Sequence, residues 1–178
     1  MTRLLKGALA FWVVWMLWAG QAFALPSYEA VRQAFVKSDS LLLDRQGRIL
    51  HELRTDRQRR RLDWTPLADI SPSLATAVLA SEDARFYRHG GVDYLALGAA
   101  AASWLPGGQK RGASTITMQL STLLDPEVQS RKGRRSLTQK SAQIRAAWEL
   151  EKTWSKHQIL EAYLNLVTFR GEYKGIAA

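Results

Sequence analysis

The chain has 178 residues, enough for one domain with its own core and too few for two comfortable ones. A hydrophobic content of 47% excludes disorder over most of the length, and the absence of cysteine excludes a disulfide framework or a thiolate metal site. Lys and Arg number 25 against 16 Asp and Glu, a net charge of +9 that suits an anionic partner: nucleic acid, an anionic lipid surface or a phosphate-bearing substrate.

The N-terminal stretch MTRLLKGALAFWVVWMLWAGQAFALP sets Arg3 and Lys6 ahead of an apolar run from Ala8 to Leu25. A membrane span needs roughly 20 such residues, about 17 at the least. Two readings compete. Ala22-Phe23-Ala24 has the small-x-small form of a signal cleavage site, whereas Trp12, Trp15 and Trp18, at helical spacing, suit a permanent anchor near an interface. The anchor is the preferred reading of residues 1–25. On either reading the basic flank stays in the cytoplasm and the remainder is exported. Export argues against nucleic acid as a partner, so RQRRR at 57–61 and RKGRR at 131–135 read as solvated loops near anionic lipid headgroups.

Residues 26–63 read as a membrane-proximal linker. Within it, SLLLDRQGRILHEL predicts two short strands around a turn at Asp44–Gly47, and the charged stretch through Arg61 reads as linker. From Trp64 the pattern turns helical. Ser71 is expected to cap a helix with Pro72 at its first position and an apolar face at Leu74, Ala77 and Val78 leading to Glu82. A second helix is expected over Val92 to Trp104, then a basic, glycine-rich loop at 106–113. Ser114 or Thr115 caps a helix through Leu124, stopped by Asp125-Pro126. SLTQ at 136–139 and SKHQ at 155–158 have the capping-box form and start two more helices, to Lys152 and Leu166. The fold class is mainly α with one small β element.

Four constellations carry chemistry. Glu82 lies where a helix runs out, next to C-terminal backbone dipoles that disfavour a carboxylate, a setting suited to proton transfer. Asp83 is expected to point elsewhere as an orienting partner, with Phe86 and Tyr87 walling the site and His89-Gly90-Gly91 turning the chain. GASTITMQ, at 112–119, offers a glycine, two hydroxyls and the N–H groups of a helix start, an anion site fit for a pyrophosphate. Lys140 and Gln143 lie one turn apart on one face, where a lysine can hold a phosphate as a point charge, while Ile144 and Trp148 look like core. Glu161 and Asn165, four apart in ILEAYLN, either brace a buried polar network or cap and solvate.

Taken together and in order, EDARFYRHGGVD, GASTITMQL, KSAQIRAAWELE and SKHQILEAYLN resemble the successive motifs of the family 51 peptidoglycan glycosyltransferases. That family supplies the N-terminal catalytic domain of class A penicillin-binding proteins and the monofunctional transglycosylases. TITMQLSTLLDP and the glutamine of KSAQ look most like the 1C subtype. The resemblance runs from Leu41 to the last residue. It implies a mainly α, lysozyme-like two-lobed domain over 64–178, anchored in the bacterial inner membrane by a single N-terminal span with the domain on the outer face. The implied reaction polymerises lipid II into a growing glycan strand, releasing undecaprenyl pyrophosphate, with other cell-wall synthesis proteins as further partners.

On the same resemblance Glu82 falls on the catalytic base. Asp83, His89, Ser114, Thr115, Gln119, Lys140, Gln143 and Asn165 fall on substrate-binding motif positions. No cofactor is required, although in the family a divalent ion, commonly Mg2+, assists the pyrophosphate leaving group. Gln143 stands where most relatives carry a second glutamate, and Thr122 where they carry a lysine or arginine. The chain stops just after the fourth motif, so it reads as C-terminally truncated. Two alternatives stay open: a lysozyme-like lytic enzyme, and a catalytically impaired membrane-bound fragment that binds lipid-linked precursor or cell-wall partners.

Overall fold

A computed structural model of the protein describes residues 25–102, 112–125 and 137–178. Among these, six α-helices and two antiparallel two-stranded ribbons occur: α1 (Tyr28–Gln33), β1 (Asp39–Leu43), β2 (Ile49–Arg54), α2 (Pro72–Glu82), α3 (Tyr94–Ala102), α4 (Ile116–Leu124), α5 (Leu137–Thr153), α6 (Lys156–Leu166), β3 (Thr168–Arg170) and β4 (Tyr173–Lys174). The fold is mainly α, as the patterning predicts. No helix among the described residues is long and apolar enough to cross a membrane. The expected anchor, the 131–135 basic run, Ser136, Pro126 and the end of the 92–104 helix lie outside the described residues.

The core forms where α4, α5 and α6 meet. Ile116 and Leu120 of α4, Leu150 of α5, and Ile159, Leu160 and Leu164 of α6 are buried together with Phe86 and Trp154. A buried aliphatic side chain of this kind contributes roughly 1.5–3 kcal/mol, so this cluster outweighs any helix propensity in fixing the arrangement. Ser155 caps α6 and completes a capping box with Gln158, as the SKHQ spacing predicts. Thr115, not Ser114, caps α4, its hydroxyl accepting the Met118 N–H at 3.1 Å.

Several expectations are corrected. Ser71 is the N-cap of α2, but its side chain makes no capping bond; Pro72 starts the helix with no N–H that would need an acceptor. The second helix begins at Tyr94, because Asp93 takes the cap position and accepts the Ala96 N–H at 2.9 Å. Trp148 is exposed, because α5 turns Ala146, Ala147 and Leu150 inward instead. Phe86 is buried in the core instead of walling the site, and Tyr87 is exposed.

The 57–61 stretch is not a loose linker. Arg60 bridges Tyr173 in parallel fashion, with Arg60 N–H to Glu172 O and Lys174 N–H to Arg60 O both at 2.8 Å. Arg54 pairs with Glu172 and Arg60 with Asp39. Burial, and then the charge of Arg59, lowers the Arg61 pKa; burial and the charges of Arg61 and Arg59 lower that of Lys174.

The β1–β2 ribbon turns where expected. The Asp44 carboxylate accepts the Gln46 and Arg48 N–H groups, and Gly47 takes φ 78°, a conformation glycine reaches freely. A bulge between Leu42 and Leu43 leaves Leu43 opposite Ile49. Leu42, Leu43, Ile49, Leu50 and Leu53 are all exposed.

The segment leading out of α1 is fastened to α6. Glu161 accepts from the Tyr28 hydroxyl, from Trp64 Nε1 at 2.7 Å and from the Leu67 N–H at 2.7 Å. Burial pushes its carboxyl up, but those three donors outweigh burial and hold it below the usual value. Tyr28 stands edge-on to Trp154 and Trp64, with ring centroids 5.4 and 6.2 Å apart.

Candidate active site

The turn after α2 positions the first constellation. Helix α2 ends at Glu82, and Asp83, its C-cap, turns inward. Asp83 is 7% exposed. Its carboxylate accepts His89 Nε2 at 2.9 and 3.1 Å and the Ile116 N–H at 3.1 Å, tying this turn to the start of α4. Because an ionised Asp83 carboxylate can only accept, the Nε2 that meets it carries a proton. Nδ1 of His89 is buried and has no hydrogen-bond partner among the described residues. Gly91 closes the turn at φ 87°, and a Cβ there would lie 2.8 Å from the Ala147 carbonyl of α5. The Thr115 hydroxyl donates to the Gly91 carbonyl at 2.6 Å.

Glu82 itself is exposed and faces a polar cleft, not an apolar pocket. The cleft has a volume of about 320 Å3 and is lined by Glu82, Asp83, Arg85, Asp93, Gly112, Ser114 and Thr115 among others. Gln119 of α4 donates Nε2–H to Glu82 Oε2 at 2.9 Å, and Tyr163 of α6 donates its hydroxyl to Gln119 Oε1 at 3.2 Å. Burial, and then the charge of Glu82, pushes the Tyr163 hydroxyl up to about 12.

Behind Ser114, Lys140 of α5 donates to the Ser114 hydroxyl at 3.0 Å and to Gln143 Oε1 at 3.4 Å. Gln143 is buried and donates through Nε2 to the Met118 carbonyl and the Thr122 hydroxyl, both at 2.8 Å. At the helix start of α4 the Ile116 N–H is committed to Asp83 and the Met118 N–H to Thr115.

Asn165 does not reach the cleft. It is 1% exposed, accepts the Thr65 N–H and donates to the Thr65 and Glu161 carbonyls, each at 2.8 Å. The structure makes it a brace and not a substrate contact, because every polar atom of its amide is spent on backbone. Glu82, Asp83, His89, Ser114, Thr115, Gln119, Lys140 and Gln143 are brought together. Sequence reading missed Tyr163, which sits in ILEAYLN between the two polar residues that drew notice. It also missed the Thr117–Glu151–Lys156 chain, in which Glu151 accepts from both partners at 2.7 and 2.6 Å.

Asp83, His89 and Asp93 each offer a ligand atom within 4.8 Å of the others. They do not fit a metal. Both Asp93 oxygens accept the Arg85 guanidinium, at 2.8 and 2.7 Å, and Asp83 is taken by His89 and Ile116. Burial pushes the Asp93 carboxyl up, but the Ala96 N–H and Arg85 outweigh it and hold it low. A cation would have to displace that guanidinium. Gln143 offers a neutral amide that is already engaged.

The transglycosylase family model matches residues 46–178. A biosynthetic peptidoglycan transglycosylase of Rhodospirillum centenum is 43% identical over 105 residues, covering 58% of this chain and 42% of that protein. Its namesake in Agrobacterium fabrum is 37% identical over 115 residues, covering 65% and 49%. Penicillin-binding protein 1A of Rickettsia typhi is 33% identical over 161 residues, covering 86% of this chain and 19% of that protein. The chain thus spans less than half the length of each of these relatives. With a family match over most of its length, the chain belongs to the transglycosylase family.

Proposed function

We propose that this chain is a peptidoglycan glycosyltransferase of bacterial cell-wall synthesis, polymerising lipid II into glycan strands. The observation that carries the reading is a carboxylate that lines a polar cleft, Glu82, held by Gln119, and a lysine, Lys140, bonded to Ser114 of the same lining. Glu82 takes the proton of the acceptor's 4-hydroxyl as that oxygen attacks the anomeric carbon of the growing strand. The new glycosidic C–O bond forms as the bond to pyrophosphate breaks. Undecaprenyl pyrophosphate leaves with the electron pair and the configuration inverts. Lys140 and Ser114 meet the leaving phosphate's charge, with Thr115, Asp83 and His89 holding the walls in register. Among the described residues, neither Gln143 nor the Asp83–His89–Asp93 group has a free carboxylate to offer Mg2+.

Residues 64–178 carry the lysozyme-like two-lobed catalytic part, behind a single-pass inner-membrane anchor at 1–25, with the 26–63 segment packed against it. Exposed apolar residues at the start of α3, Tyr94 and Leu95, the latter 72% exposed, support contact with the outer leaflet. TITMQLSTLLDP with Gln143 supports the 1C subtype of class A penicillin-binding proteins, and other cell-wall synthesis proteins are its partners.

The test is glycan-chain formation from labelled lipid II in detergent, comparing the full chain with Glu82→Gln. Polymer from the parent and none from the variant is expected. Equal polymer from both removes Glu82 as the base. Retained lipid II binding with no polymer from either points to a binding module, and soluble muropeptides released from sacculi point to a lytic enzyme.

A further inference from the structure

We infer that Tyr163 is a positioning residue for the general base: its hydroxyl orients the Gln119 amide so that the amide's N–H end, and not its oxygen, meets Glu82. The inference rests on Glu82 being the base of the glycosyl transfer proposed above.

The two ends of a glutamine amide have the same shape and opposite hydrogen-bonding character, so only its neighbours decide which end faces which way. Here the Tyr163 O–H donates to Oε1 at 3.2 Å and Nε2–H donates to Glu82 Oε2 at 2.9 Å. Both contacts run donor to acceptor, from the buried core outward to the cleft. An ionised carboxylate can only accept, so this direction matches the charged, proton-accepting form of Glu82. Reversing the amide would set its oxygen against the carboxylate, an arrangement that a protonated carboxyl tolerates and an ionised one does not.

Tyr163 is what makes the reversal costly. It is 3% exposed, and Gln119 Oε1 is its one hydrogen-bond partner among the described residues. Turning the amide would leave a buried hydroxyl with no acceptor. The hydroxyl also keeps its proton throughout the neutral range, since burial and the nearby carboxylate push it up to about 12. It therefore always carries a proton that needs an acceptor.

The other charged groups around Glu82 are already matched. On its own loop, Asp83 is bonded to His89, and Arg85 to Asp93. From α5, Lys140 reaches the cleft through Ser114. Among the described residues Glu82 has Gln119 as its only hydrogen-bond partner, so the orientation of that amide falls directly on the base.

The test follows the Glu82 carboxyl by carbon-13 NMR across a pH titration of the full chain in detergent, in the parent and in Tyr163→Phe, which keeps the ring and removes the hydroxyl. The titration midpoint of Glu82 is expected to rise by roughly half a unit to one unit, and the acid limb of the kcat profile on lipid II to move with it. A merely structural role would lower Tm and leave the midpoint in place. Gln119→Met is expected to raise the midpoint at least as far, with Tyr163→Phe adding nothing in that background. An unchanged midpoint in Tyr163→Phe, or additive shifts in the double variant, overturns the inference. A shifted midpoint in a chain that makes no polymer keeps the relay and removes the enzyme reading. Polymer with an unshifted midpoint does the reverse.

Discussion

Glu82 and Asp83 are consecutive residues that turn to opposite environments: Glu82 is exposed in the cleft, while Asp83 is buried between His89 Nε2 and the Ile116 N–H. The helix C-terminus makes the divergence possible, because the C-cap leaves helical geometry at φ −159° and swings its side chain inward. One carboxylate is thereby available for chemistry and the other holds the turn against α4.

Asp83→Asn removes the charge from those bonds while keeping the size. Charge-assisted bonds of this kind contribute about 1.5–3 kcal/mol. The expected fall in Tm is then roughly 3–12 °C, read by thermal unfolding at neutral pH.

Gln143→Glu restores the carboxylate that most family members carry, in a site built for an amide. The new oxygens face the Met118 carbonyl, which now receives an N–H at 2.8 Å. The variant is expected to lose about 1–3 kcal/mol of stability, the cost of an unpaired buried acceptor. It should gain no Mg2+ stimulation. Urea unfolding with an unchanged m-value checks the first, and lipid II turnover with and without chelator the second.

Glu161 links stability to pH. Its carboxyl is held below the ordinary value of 4.5 in the folded protein, so the unfolded chain binds its proton more tightly. The ionised group therefore stabilises the fold above that value, and the contribution disappears as pH falls through the lower folded value. Glu161→Gln should melt below the parent at pH 7 by about 1 kcal/mol, after allowance for solvent screening. The gap should narrow progressively as the pH falls below the ordinary glutamate value.

Gly91→Ala meets two penalties at once. The backbone sits at φ 87°, and the added carbon would lie 2.8 Å from the Ala147 carbonyl. The combined cost is roughly 2–4 kcal/mol. Gly90→Ala, where nothing lies within 4 Å, is the matched control and should stay near the parent in urea.

Local signals were legible in the sequence where they were self-contained. The SKHQ capping box, the Asp44–Gly47 turn and the apolar stripe of α4 depend on residues within a few positions of each other. The ends of the cleft were also legible, because Glu82, Ser114 and Lys140 each lie in a motif of their own. What escaped was pairing across the fold. Nothing near Tyr163 says that its hydroxyl meets Gln119, 44 residues earlier, and nothing near Asn165 says that Thr65 will occupy its amide. Trp148 escaped for a related reason: its face of α5 was inferred from apolar character, whereas burial there follows the small residues that let α4 approach.

The fastening of the first described segment to α6 also sets an order of events during synthesis. Tyr28 emerges 133 residues before Glu161, and Trp64 97 residues before it. At roughly 5–20 residues per second, Tyr28 waits on the order of ten seconds for its acceptor to exist. During that interval Tyr28 and Trp64 have no core to join. The native fastening of α1 thus waits for α6, however early α1 itself emerges.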